Sequence, residues 1–162
     1  MAELSGKERQ TSEIIAAKLL EFAPDRVIKN IGGYSIAAVF SSGQPGPVVL
    51  LRADMDALPI TEENNIPYKS KNPGVMHACG HDAHTAILLI TAKILSSYRE
   101  EIRGNIKFIF QPNEEIGGAK AMIEEEILDN PRVDAAMALH LWTALETNVI
   151  GVKSGPITGT LD

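Results

Sequence analysis

Apolar positions along the chain switch between helical and alternating spacing, and the switches mark out its elements. Ile14, Ile15, Leu19 and Phe22 recur at helical intervals within 7–22, and Pro24 ends that helix. Two short strands are predicted next, at 35–40 and 48–53. The turn Ser42-Gly43-Gln44-Pro45-Gly46-Pro47 between them has the composition of a hairpin-type connection. A long loop rich in Asn, Pro and Gly follows, from 54 to 81. The segment 83–97 is apolar on almost every face (Ile87, Leu88, Leu89, Ile90, Ile94, Leu95), which predicts a buried helix. Residues 105–110 read as a strand, and 117–128 as a helix with Met122, Ile123 and Ile127 inward. Residues 133–139 read as another strand, and 148–152 as a last short one. Strands alternating with helices predict an α/β sandwich around a largely parallel sheet.

Composition narrows the class without changing that outline. The 162 residues carry 15 Lys and Arg against 21 Asp and Glu, a formal net charge of −6, and 44% are hydrophobic. That apolar content supports a sizeable core in one ordinary domain, with no internal repeat, low-complexity tract or linker to divide it. An acidic balance lacks the basic face that nucleic-acid binding needs. No apolar run approaches the roughly 20 residues of a membrane span. The N-terminus has no apolar signal-peptide core. A single cysteine, Cys79, excludes an internal disulfide framework and suits a reducing compartment, so the expected location is cytoplasmic.

The chemistry-bearing residues collect at the ends of the predicted strands. Asp54 and Asp56 follow 48–53, Glu114 and Glu115 follow 105–110, and His140 follows 133–139. His77, Cys79, His81 and His84 lead into the apolar helix. In an open α/β sheet, ligands bind at the carboxyl ends of the strands, so four such clusters predict one shared site. Cys79 and His81 bracket a glycine that lets the backbone turn both side chains toward one ion. Histidine, cysteine and carboxylate together suit a divalent transition metal such as Zn²⁺ or Mn²⁺ rather than Ca²⁺ or Mg²⁺. Of the Glu114-Glu115 pair, one carboxylate can ligate while its neighbour takes a proton from the attacking water.

Each signal also has a plainer reading. His84 reads equally well as a surface or hydrogen-bonded histidine. An adjacent Glu pair is usually a solvated helix start. Asp54 and Asp56 could cap a turn, and Cys79 could be a small buried hydrophobe. The glycine pairs 32–33 and 117–118 fit turns rather than a phosphate loop, and Glu124-Glu125-Glu126 fits a wet helix face. Trp142 could line a pocket or simply pack. The joint placement at strand ends is what favours a site.

The stretches Leu51-Arg52-Ala53-Asp54-Met55-Asp56-Ala57-Leu58-Pro59 and Gly74-Val75-Met76-His77-Ala78-Cys79-Gly80-His81-Asp82-Ala83-His84-Thr85 resemble the signature of the metal-dependent amidohydrolases. That family includes aminoacylases, hippurate hydrolase, N-acetyldiaminopimelate deacetylase and auxin–amino acid conjugate hydrolases. Phe110-Gln111-Pro112-Asn113-Glu114-Glu115 and Leu139-His140-Leu141-Trp142 resemble its next two motifs, in order. The resemblance implies a three-layer αβα sandwich of the zinc-peptidase kind, with residues 1–162 as the N-terminal portion of the catalytic domain. It implies that Cys79, His81, Glu115 and His140 ligate two divalent ions, Mn or Zn with Co or Ni as further options. It implies that Glu114 is the general base activating the bridging water, and that Asp56 is a catalytic-site carboxylate near the metal centre, supporting the ligands from behind. The implied reaction is hydrolysis of the amide bond of an N-acyl amino acid or short peptide.

The chain also departs from the family pattern. Family members carry a lid and dimerisation domain inserted after a segment resembled by 154–162, and a further histidine ligand beyond it. The family's opening helix has no counterpart before Glu3-Leu4-Ser5-Gly6-Lys7-Glu8. Asn113 stands where alanine is usual, 116–118 is one residue short, and Thr158-Gly159 replaces Met-Ala. On that reading the chain alone is expected to be inactive. Apolar surface left along one side of the sheet is expected to favour self-association. The alternative is a catalytically silent relative that keeps the fold for metal binding or assembly. A Cys-His nucleophilic hydrolase fits poorly, because Cys79 and His81 lack an independently placed base and orienting group.

Overall fold

The computed structural model describes residues 2–157. Its elements are α1 (Arg9–Leu20), β1 (Arg26–Lys29), β2 (Ile36–Ser41), β3 (Val48–Asp54), α2 (His81–Ser97), β4 (Asn105–Gln111), α3 (Gly118–Glu124) and β5 (Ala135–Ala138). The strands form one sheet in the order β1-β2-β4-β3-β5. Only β2 runs against its neighbours; β3 is parallel to both β4 and β5. Alternation along the central strands builds two cores. Ile36, Ala38 and Phe40 of β2 join Ile106, Phe108 and Phe110 of β4 on one face, under Ile15, Ala16 and Leu19 of α1 and Leu88 and Ala92 of α2. The opposite faces of the same strands give Ala37 and Ile109, which with Leu50 pack against Met122 and Ile127. The expected three layers are therefore present.

Five sequence expectations are corrected. The turn at 42–47 does not close a hairpin, because β4 lies between β2 and β3. It bridges the end of β4 instead: Gly104 N–H donates to Gln44 O at 3.1 Å and Asn105 N–H to Pro47 O at 2.9 Å. The strand β1 was not anticipated; its Arg-Val-Ile-Lys is too short to show a period and is held by pairing with β2. No strand forms at 148–152, where Asn148 has φ +68° and Ile150 and Val152 are exposed and unpaired. The helix at 117–128 is shorter than expected, and its Ile123 faces outward, as Ile14 of α1 does. Nor is α2 buried all round: His81, His84, Thr85, Leu88 and Ala92 face inward while Ile87, Ile90 and Ile94 are exposed. Thr158-Gly159 and the end of the 154–162 segment lie outside the described residues. Among the described residues, no helix is long and apolar enough to cross a membrane.

One charged side chain belongs to the core. Lys107, on the α3 side of β4, is 0% exposed, and its ammonium donates to the carbonyls of Ile127 and Asp129 beyond α3. Burial, with Arg26 nearby, holds its pKa below the usual lysine range. Lys107→Met leaves those carbonyls without their donor, and urea unfolding is expected to show a loss of about 1–3 kcal/mol. The sign with pH follows from the depressed pKa. Between the folded and unfolded values, the unfolded chain holds a proton that the native one has released, so raising pH favours the native state of the wild type. The difference between wild type and Lys107→Met therefore widens in alkali.

Candidate metal centre

Because β3, β4 and β5 run in one direction, the segments that follow them leave the sheet at a single edge. Asp54 ends β3 and Asp56 lies two residues on; the short 3-10 turn Glu114–Ile116 follows β4; His140 follows β5. The first turn of α2 enters between them with His81. Gly80, just ahead, has φ +86°, a left-handed conformation natural to glycine, and it turns the chain between Cys79 and His81. A Cβ there would also come within 3.2 Å of Leu141 Cδ1, beside His140.

His81 is the hub. Its residue is 0% exposed, and its Nδ1 lies 3.2 Å from Asp56 Oδ1. Since a carboxylate only accepts, that contact assigns a proton to Nδ1 and directs Nε2 at the cluster. Nε2 is buried without a hydrogen-bond partner, as is Glu115 Oε1, 3.7 Å away. Glu114 Oε2 lies 3.8 Å from the same nitrogen. On the other side, Cys79 Sγ and His140 Nε2 are 3.4 Å apart. Among the described residues, three donor groups share His81: Cys79, His81 and His140; Asp54, His81 and His84; and His81, Glu114 and Glu115, each with its donor atoms within 4.8 Å of one another. The structure brings together all five residues that the sequence singles out as ligands or base.

The charges around the cluster call for a cation. Burial opposes charge on His81, but the Asp56 hydrogen bond and the charges of Asp54, Asp56 and Glu114 outweigh it and raise the imidazole pKa. The Cys79 thiol is pushed up to about 11 by burial and by the carboxylates of Glu115, Glu114 and Asp54. Such a thiol stays protonated near neutrality until a cation arrives to hold its thiolate. Burial likewise raises the Glu114 carboxyl, against the pull of Arg52 and His81. Its side chain remains 38% exposed, at the mouth of the cluster, where it can meet water. A soft thiolate, two imidazoles and carboxylates fit a transition ion, which would satisfy the orphaned His81 Nε2 and Glu115 Oε1.

Sequence reasoning left several neighbours unassigned. His84 Nδ1 donates to Asp54 Oδ1 at 2.7 Å, and its Nε2 accepts the N–H of Leu141 at 2.9 Å. Both nitrogens are occupied, so His84 holds the backbone beside His140 rather than an ion. His140 in turn donates from Nδ1 to Leu141 O at 2.6 Å, which leaves Nε2 toward Cys79. Asp54 is fixed by Arg52 Nη1 at 2.7 Å, and Arg52 Nε by Gln111 Oε1 at 3.0 Å. Asp56 is 1% exposed and accepts from Ser5 Oγ at 2.7 Å and Glu115 N at 3.1 Å as well as from His81. Burial pushes its pKa up, but these donors outweigh burial and hold it at about 2. Asp56 therefore sits behind His81 and the turn, shielded from anything at the mouth. Trp142 is 56% exposed, with its ring 6.4 Å from that of His140.

Known proteins resemble this chain in both sequence and fold. The chain is 47% identical over 162 residues to an N-acyl-L-amino acid amidohydrolase of Geobacillus stearothermophilus, covering 99% of this chain and 43% of that protein. It is 45% identical over 161 residues to a hippurate hydrolase of Campylobacter jejuni, covering 99% of this chain and 41% of that one. The crystal structure of Bacillus subtilis YXEP, described as a dinuclear metal binding peptidase from the M20 family, superimposes with a TM-score of 0.89 at 41% identity, over 96% of this chain and 43% of that one. The chain thus spans about two fifths of the length of these relatives. Residues 50–157 match the model of peptidase family M20/M25/M40, and they include every member of the metal cluster. This chain belongs to peptidase family M20/M25/M40.

Proposed function

We propose that this chain forms the metal-holding part of a hydrolase that cleaves the amide bond of N-acyl amino acids. The observation that carries the reading is the pair of buried, unpartnered donors, His81 Nε2 and Glu115 Oε1, 3.7 Å apart with Glu114 at the same mouth. Cys79, His81, Glu115 and His140 would hold the metal. Two ions are supported by the dinuclear description of the YXEP structure. A divalent transition ion, Mn²⁺ or Zn²⁺, supplies Lewis acidity when bound there, polarising a carbonyl and acidifying water. Glu114, half-exposed and with a raised pKa, takes the proton from the attacking water and can return it to the leaving amine. Asp56 orients His81 by the Nδ1 hydrogen bond and holds the Glu115 N–H.

The substrate class follows the relatives, which are named for N-acyl amino acids, hippurate and N-acetylcysteine. A single free cysteine among the ligands suits the reducing cytoplasm. The test is hydrolysis of N-acetyl and N-benzoyl amino acids by a protein of family length that carries this chain, with Mn²⁺, Zn²⁺ and Co²⁺ added in turn. Turnover that is lost on chelation and restored by metal is expected. No turnover with any of the three ions would overturn the reading.

A further inference from the structure

The segment before α1 passes behind the acidic turn, and a carboxylate there makes contacts that the metal cluster does not explain. Glu8 is 0% exposed. Its Oε1 accepts the N–H of Asn113 at 2.7 Å and the N–H of Gly6 at 2.9 Å. Asn113 immediately precedes Glu114 and has φ +60°, a left-handed conformation that few residues with side chains adopt, asparagine among the more tolerant. From the same segment, Ser5 donates to Asp56 Oδ2, the oxygen that also takes the Glu115 N–H. These contacts join residues 105 and 51 positions apart, so they tie separate parts of the chain rather than cap one turn. A carboxylate buried only to fill space would cost more than an apolar side chain of the same size.

We propose that Glu8 is a positioning residue for the acidic turn: by holding the Asn113 N–H it fixes the left-handed step that sets Glu114 and Glu115 against His81. The inference rests on the proposed roles of those two glutamates, but its mechanical part stands apart from them. Without Glu8 Oε1, the Asn113 N–H loses its acceptor. On the far side of the turn, Gly118 N–H still donates to Asn113 O at 2.7 Å, so the turn loosens on its Glu8 side only. Glu8 Oε2 and Asn113 Oδ1 are both buried acceptors with no hydrogen-bond partner. Glu8→Gln therefore keeps one acceptor and supplies a donor among them, whereas Glu8→Leu keeps the bulk and removes both.

Amide hydrogen exchange of the 162-residue chain, followed residue by residue by NMR, separates these cases. In Glu8→Leu, exchange at Asn113 is expected to accelerate by about tenfold or more while amides of β2 and β4 stay protected. Glu8→Gln is expected to keep Asn113 at or below the wild-type rate. Mn²⁺ affinity should fall in the Leu variant and be retained in the Gln variant. A folded Glu8→Leu with wild-type exchange at Asn113 overturns the proposal. If the Leu variant does not fold, Glu8→Gln decides: protection at Asn113 supports the assignment, and accelerated exchange there overturns it. Accelerated exchange at Asn113 in Glu8→Leu with unchanged Mn²⁺ affinity would leave Glu8 as an anchor of the turn and overturn its positioning role toward Glu114 and Glu115.

Discussion

In a protein of family length, Glu114→Gln is expected to lower turnover of an N-acyl amino acid by about 10²–10⁴-fold while the protein keeps its metal. The two adjacent glutamates face the same histidine from different settings. Glu115 Oε1 is buried without a partner, whereas Glu114 keeps 38% of its side chain exposed at the mouth. Burial and the neighbouring acids Asp54 and Glu115 raise the Glu114 pKa, which brings a carboxylate nearer the range where it can accept a proton and give it back. Glutamine preserves the shape and removes the basic oxygen. Glu115→Gln should instead lose metal together with activity. Steady-state kinetics paired with elemental analysis of both variants checks this, and near wild-type turnover in Glu114→Gln would place the base elsewhere.

Asp56→Asn is expected to weaken metal binding by about 10–100-fold although it replaces none of the proposed ligands. Asp56 accepts from His81 Nδ1, Ser5 Oγ and Glu115 N, so it sets the direction of one proposed ligand by its ring and of another by its backbone. An asparagine offers one acceptor oxygen where the carboxylate offers two, and its amide would face a donor. The charge that favours a cation at His81 is lost at the same time. Ser5→Ala removes one of the three donors and should cost much less. Competition titration with a chelator of known affinity ranks the three proteins. Equal affinity in Asp56→Asn and wild type would remove Asp56 from the centre.

The parts of this arrangement that were legible in the sequence are those written locally. The parallel strands β3, β4 and β5 show as apolar runs, and the acids and histidines directly after them identify the shared edge. Cys79-Gly80-His81 is legible because three consecutive residues carry both the ligands and the turn between them. His84 is ambiguous from sequence: it shares a helix face with His81, yet only the folded chain shows both of its nitrogens taken by Asp54 and Leu141. Ser5, Glu8 and Arg52 were out of reach for a different reason. Their partners Asp56, Asn113 and Gln111 lie far along the chain, and no periodicity links them. The same limit explains the hairpin that does not form. Two strands and a tight turn look alike whether the strands pair or make room for a third, and the β4 segment that enters between them comes some fifty residues later. Apolar residues mislead where they face outward, as at Ile90, Ile94 and Ile123. Periodicity marks a greasy face but not what covers it.

Convergence of Cys79, His81, Glu115 and His140 on metal is tested most directly by metal content. The folded chain is titrated with Zn²⁺ and with Mn²⁺, and bound metal is determined by elemental analysis, for wild type and for the Cys79→Ser, His81→Ala double variant. Wild type is expected to bind, with affinity falling as the pH is lowered and the ligands take up protons. The double variant, folded by circular dichroism, is expected to retain little metal. Equal metal content in the two proteins would contradict the centre described here.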